Sequence, residues 1–230
     1  MSKSLLSFSS VTKKITMAIA GLFLIVFLVV HLGINLFLLP IHADHKEWFS
    51  AAAHFMGTNW VVKIFELVLM AAIIIHILMG IVLYIQNRMA RDVRYKVTSK
   101  SKTSFMSRYI IWTGAMILLF LAVHFYNFYF IKLGIVEAPA AANIPHPQEE
   151  HFFELAVYLF TNEIGFNILY LVSFVFLGIH LNHAFQSAFQ TLGLNHKKYT
   201  PFIKGFGKVY SVVIPLGYMI IPLYYMFFAN

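Results

Sequence analysis

From Ile15 to Leu39 the chain runs for 25 residues without a single Asp, Glu, Lys or Arg. At about 1.5 Å per residue, a helix of this length exceeds the roughly 30 Å thickness of a bilayer's hydrocarbon. A lone helix satisfies all its backbone groups internally, which hydrocarbon demands. Four more long, mainly apolar runs follow, at 60–86, 109–131, 164–190 and 207–228. Only 11% of the 230 residues are charged, against about a quarter in a soluble domain. The chain is therefore expected to be an all-α integral membrane protein, a single domain over residues 1–230 with five transmembrane helices. The first run follows Lys13 and Lys14 as a signal peptide would. It outruns a signal h-region, however, and no A-x-A-like cleavage site follows, so it reads as a retained helix.

The Lys and Arg residues sort by loop. Lys3, Lys13 and Lys14 precede the first span. Arg88, Arg91, Arg94, Lys96, Lys100, Lys102 and Arg108 fall between the second and third, and Lys197, Lys198, Lys204 and Lys208 around the start of the fifth. Only Lys46, Lys63 and Lys132 belong to the other side. Positive-inside bias puts the N-terminus in the cytoplasm and the C-terminus outside. The net charge of +8 thus reports topology. There is no separate basic domain, so the bilayer is the expected partner and nucleic acid is not. The absence of cysteine excludes disulfides, thiolate-bound zinc, iron–sulfur ligation and C-x-x-C-H haem attachment. In the outer loop 132–163 the Pro-rich part cannot be one helix. Residues 149–160 are read either as a short amphipathic helix on the outer surface or as a solvated connector.

Of eleven histidines, His42, His45, His54, His146, His151 and His196 are expected in loops or at span ends. His31, His76, His124 and His180 lie inside spans one to four, one in each. Counted from the span ends, His31 and His124 lie about 12–13 Å below the outer face, and His76 and His180 about 25 Å below it. An imidazole in hydrocarbon is costly without a partner. Bis-histidine ligation of two b-type haems accounts for four imidazoles paired at two levels about 12 Å apart, with neutral ring nitrogens as axial ligands. Hydrogen bonding between helices would account for any one of them alone. Gly21 and Gly114 lie ten residues before the outer pair, and Gly80 and Ala184 four residues after the inner pair. Small residues there suit either a porphyrin face or close helix packing. His183, one turn beyond His180, competes with it on depth alone.

The stretches "KKITMAIAGLFLIVFLVVHLGINL", "IIIHILMGIVLYIQNR", "LAVHFYNFY" and "HLNHAFQSAFQTLGLNH" resemble the cytochrome b membrane anchor of succinate dehydrogenase or fumarate reductase, the single-chain, five-helix, two-haem type. The last is most similar to the version in the Bacteroides and Flavobacterium group. In that family a small residue stands four places after the fourth ligand and a glycine thirteen places after it. Ala184 and Gly193 meet this from His180, not His183. The resemblance implies two haems b in a four-helix bundle, His76 with His180 near the cytoplasm and His31 with His124 near the outer face. It implies a flavoprotein subunit and an iron–sulfur subunit on the cytoplasmic side, docked on 88–108 and 194–208, in a bacterial cytoplasmic membrane. It further implies electron flow from the iron–sulfur subunit through both haems to menaquinone, and is compatible with a dimer of the whole complex. Some of Lys13, Lys14, Arg88 and Arg108 would pair with haem propionates.

Quinone reduction needs protons. Glu66, about 10 Å into its span, is the candidate donor; the plainer reading pairs it with Lys63 at the interface. Asn35, Tyr126 and Asn127 are candidates to hydrogen-bond a quinone. Some two-haem fumarate reductases carry a glutamate two residues before the fourth ligand, for a transmembrane proton path. That position is Gly178 here, so such a path is not expected. The alternatives are an anchor of another quinone-linked dehydrogenase (formate dehydrogenase or hydrogenase type), a di-metal oxygenase, and a haem-free transporter or assembly protein.

Overall fold

The computed structural model describes residues 9–89, 105–142, 144 and 151–229. Lys3, Arg91, Arg94, Lys96, Lys100, Lys102, His146 and residues 149–150 lie outside the described residues, as does the side chain of Arg108. Five helices are long and apolar enough to cross a membrane. They are α1 (Ser10–Asn35), extended by a 3-10 turn at Leu36–Leu38, α3 (Trp60–Met89), α4 (Phe105–His124), α7 (Ile164–Thr191) and α8 (Thr200–Phe228). A π-helical turn, Phe125–Tyr129, joins α4 to the short α5 (Phe130–Lys132). The five expected spans are all present. α8 begins at Thr200 rather than 207 because Pro201 sits in its first turn, where a missing N–H costs nothing.

Two shorter helices, α2 (His45–Thr58) and α6 (Phe152–Asn162), lie at one end of the bundle. α6 decides the open reading of the outer loop in favour of a helix. α2 corrects an expectation: His45 and His54 stand in a helix rather than a loop. Its sequence has no long apolar run, and its order comes from packing. Phe49 is 6% exposed, in edge contact with Phe153 of α6. Lys46 Nζ lies 2.8 Å from Glu154 Oε1.

In the bundle α1 packs on α3, α7 and α8; α4 packs on α7; α3 and α4 scarcely touch. α1 therefore faces α4 across the centre, and α3 faces α7. Apolar side chains such as Val26, Leu67, Leu119 and Val213 point outward and are exposed, as expected of surfaces that lipid covers. α8 braces α1 from outside the four. Its Tyr210, Tyr218 and Tyr225 hydroxyls donate to the carbonyls of Ile25, Leu28 and Leu38 at 2.5, 2.8 and 2.6 Å. Spaced eight and seven residues apart, the tyrosines share one face.

α7 and α8 pack tightly at Gly178. Pro215 has no N–H, so the Ser211 carbonyl loses its α-helical partner. A Cβ on Gly178 would lie 2.9 Å from that oxygen and 3.4 Å from Pro215 Cγ. The position is closed to a larger side chain. At the far end of α7, Gly193 takes φ +75°, and its N–H closes the helix on Gln190 O.

Gly178→Ala should therefore cost about 1–3 kcal/mol through overpacking. Gly80→Ala, with nothing within 4 Å, should be neutral or gain up to about 1 kcal/mol. Thermal unfolding in detergent compares the two. A second test concerns α2. Burial pushes the Glu154 carboxyl up, but the hydrogen bond and charge of Lys46 outweigh it and hold it below its usual range; the same pair raises Lys46. A carboxyl depressed in the folded state stabilises above its ordinary pKa and stops doing so as pH falls through its folded value. The protection of α2 amides against hydrogen exchange, relative to their intrinsic rates, should fall below about pH 4, and Lys46→Met should remove that dependence.

A candidate cofactor site: two crossed histidine pairs

The four intramembrane histidines meet in two pairs. His31 and His124 have ring centroids 5.8 Å apart with planes at 83°. His76 and His180 are 6.3 Å apart at 73°. Each pair comes from helices that face each other across the bundle. All four rings are half-buried. Among the described residues no group of three or more His, Cys, Asp or Glu could hold a metal ion; the ligands come in twos. An ion held by one nitrogen of each ring, at about 2.0 Å per bond, sets ring centroids roughly 6.2 Å apart. Both pairs fit that spacing.

The glycines explain how the rings are admitted. A Cβ on Gly21 would lie 3.3 Å from His76 Cε1, and one on Gly114 would lie 3.7 Å from His180 Cε1. Gly21 is ten residues before His31, and Gly114 ten before His124. The second pair thus lies about 15 Å below the first along both α1 and α4, slightly more than the span ends suggested. Gly80 meets nothing within 4 Å.

Flanking aromatics repeat the register. Phe27 stacks on His31 at 5.1 Å and 20°, and Phe120 on His124 at 5.6 Å and 22°. The stretches "FLVVH" and "FLAVH" therefore do the same work in α1 and α4, each with its glycine ten residues before the histidine. This twofold repetition was readable from the letters and is the internal repeat that a search for tandem periodicity misses.

Two hydroxyls that sequence reasoning passed over reach ring nitrogens. Thr113, buried at 4% exposure, lies 3.2 Å from His180 Nδ1 and donates its own proton to Ile110 O at 2.9 Å. The Tyr170 hydroxyl lies 3.4 Å from His124 Nδ1 and receives the Asn127 amide at 3.4 Å. Tyr170 is ten residues before His180, the offset of the glycines, and this was its one signal. The His76 ring lies against α1, beside Gly21 and within reach of the Met17 backbone.

The quinone candidates separate. Asn127 is buried beside His124 through Tyr170. Asn35 turns back to the His31 carbonyl at 2.7 Å. Tyr126 is 52% exposed, because the π turn that buries Asn127 carries it outward. Glu66 pairs with Lys132 at 2.9 Å, not with Lys63. This pair bridges α3 to α5 on the side where α3 and α4 stand apart. Among the basic candidates, Lys13 is buried at 3% exposure and donates to Gln86 Oε1 at 3.3 Å. Lys14 is exposed, and Arg88 donates to the Tyr84 hydroxyl. His183 is half-buried on α7 and joins neither ring pair.

No family model, curated protein or solved structure matches the chain. The geometry therefore carries the functional reading. A double-mutant cycle on Glu66→Gln and Lys132→Met should give a coupling of about 0.5–1 kcal/mol, measured by unfolding in detergent, and the same cycle with Lys63→Met should give none.

Proposed function

We propose that the chain is a dihaem cytochrome b, the membrane anchor of a succinate:quinone oxidoreductase that passes electrons from an iron–sulfur subunit to menaquinone. The carrying observation is that imidazoles from helices facing each other across the bundle meet twice, at 5.8 and 6.3 Å. His31 with His124, and His76 with His180, would each hold one protohaem without covalent attachment, since the chain has no cysteine. When bound, the haems supply a one-electron relay between a soluble donor and a quinone. The protein residues hold the ring nitrogens in place, keep water out with apolar walls, and leave bare helix surface at Gly21 and Gly114.

The choice of succinate or fumarate as dicarboxylate, the flavoprotein and iron–sulfur partners, and the bacterial cytoplasmic membrane rest on the resemblance of the sequence. Positive-inside bias supports a cytoplasmic N-terminus, which puts the His76–His180 pair on the donor side and the His31–His124 pair on the quinone side. There Glu66 is the carboxylate assigned to the quinone's proton supply, its Oε2 accepting from Lys132. Its bridge to Lys132 stands at the gap between α3 and α4, the side from which a lipid-soluble molecule can enter. Lys13 is the basic side chain assigned to a propionate of the nearer haem.

Purified chain should carry two haems. His31→Ala and His76→Ala should each carry one, and His183→Ala should keep both, by pyridine haemochrome assay. Imidazole planes held at 83° and 73° would leave the dπ orbitals of a bound ferric iron nearly degenerate. Both ferric centres should therefore give strongly anisotropic low-spin EPR signals. Folded chain that binds no haem under haem-replete expression would overturn the reading.

A further inference from the structure

α4 and α7 each carry one member of a histidine pair, and each also carries a hydroxyl directed at the other's histidine. Thr113 of α4 reaches His180 of α7, and Tyr170 of α7 reaches His124 of α4. The arrangement is reciprocal because the helices run antiparallel with similar offsets: Thr113 is eleven residues before His124 and Tyr170 ten before His180. We infer that Thr113 and Tyr170 are positioning residues, each fixing the ring orientation and the proton-bearing nitrogen of one axial histidine. The inference rests on the haem reading above and deepens it.

The chemistry follows from proton bookkeeping. A threonine hydroxyl has one proton, and that of Thr113 goes to Ile110 O at 2.9 Å. Its oxygen can therefore meet His180 Nδ1 only as an acceptor. Nδ1 carries the ring proton, and Nε2 keeps the lone pair that a metal needs. At His124 the Tyr170 oxygen already accepts from Asn127. It accepts from Nδ1–H as well when Nε2 is the ligand. The reverse direction, phenol to Nδ1, puts the ring proton on Nε2, where no metal can bind. An Nδ1–H bond to an acceptor makes the imidazole a stronger donor to the metal and favours the ferric state.

Removing the acceptor should raise the potential of that haem alone. Thr113→Val keeps the shape and removes the hydroxyl; Tyr170→Phe does the same at the other level. Spectropotentiometry of the purified, haem-loaded chain should show one component shifted upward in Thr113→Val, by about threefold or more in its reduction equilibrium, roughly 28 mV at 59 mV per decade. The other component should shift in Tyr170→Phe, by less, since its contact is longer. Thr113→Ser should restore the original potential. Two haems with unchanged potentials in both variants, equal shifts of both components in each, or failure of Thr113→Ser to restore would overturn the inference while leaving the haem assignment standing. Wild-type chain that binds no haem would overturn the haem assignment instead. If Thr113→Val does not fold, Thr113→Ser and Tyr170→Phe still decide: a shift in the former, or none in the latter, counts against the inference.

Discussion

An imidazole in the apolar middle of a helical bundle must find a partner, because hydrocarbon returns none of the hydrogen bonds it loses from water. Four such rings, one on each of four helices, meet in pairs, and the packing follows from pairing them. Rings on adjacent helices would meet at the seam and face lipid. Rings on opposite helices meet in the centre, and two such pairs at one level would collide. The bundle separates them by ten residues along α1 and α4, almost three helical turns. Where one pair sits at a given level, the other two helices present Gly21 and Gly114 or the Tyr170 hydroxyl.

The fifth membrane helix has no histidine, yet the pairs depend on it. α8 ties its tyrosines to α1 carbonyls along the length of the helix that carries His31, and Tyr218 itself lies 6.0 Å from the His31 ring. Two prolines inside α8, Pro215 and Pro222, free carbonyls that would weaken an isolated helix. One of those carbonyls, from Ser211, lies against Gly178, so α7 can approach closely enough to be fixed as well. α8 thus acts as a splint on both α1 and α7. The same contact leaves no space for a larger side chain at Gly178.

The open side of the bundle lies opposite this splint. α3 and α4 scarcely touch, and near the end that carries α2 and α6 they are bridged by Glu66 and Lys132. Burying both charges partway is tolerable because they neutralise each other. An ion pair across a gap is also more easily rearranged than a packed apolar seam. This is the side on which the four histidine-bearing helices are held together least closely.

The letters alone determined the five spans, the sorting of basic residues, the four histidines and their two depths, because hydrophobic length and helical rise are local properties of a chain. Gly21 and Gly114 could be put near the second level by counting, and the repeated F-L-x-V-H in α1 and α4 was there to be counted too. Other features were decided only in three dimensions. α2 has no apolar run to announce it and is ordered by Phe153 and Glu154 from a helix a hundred residues away. Glu66 chose Lys132 over the nearer Lys63 because α5 brings that ammonium across the gap. Thr113 and Tyr170 read as ordinary span residues until α4 and α7 were set antiparallel. Periodicity says which face of a helix a residue is on; which atom of another helix waits there depends on how the helices are arranged around the shared centre.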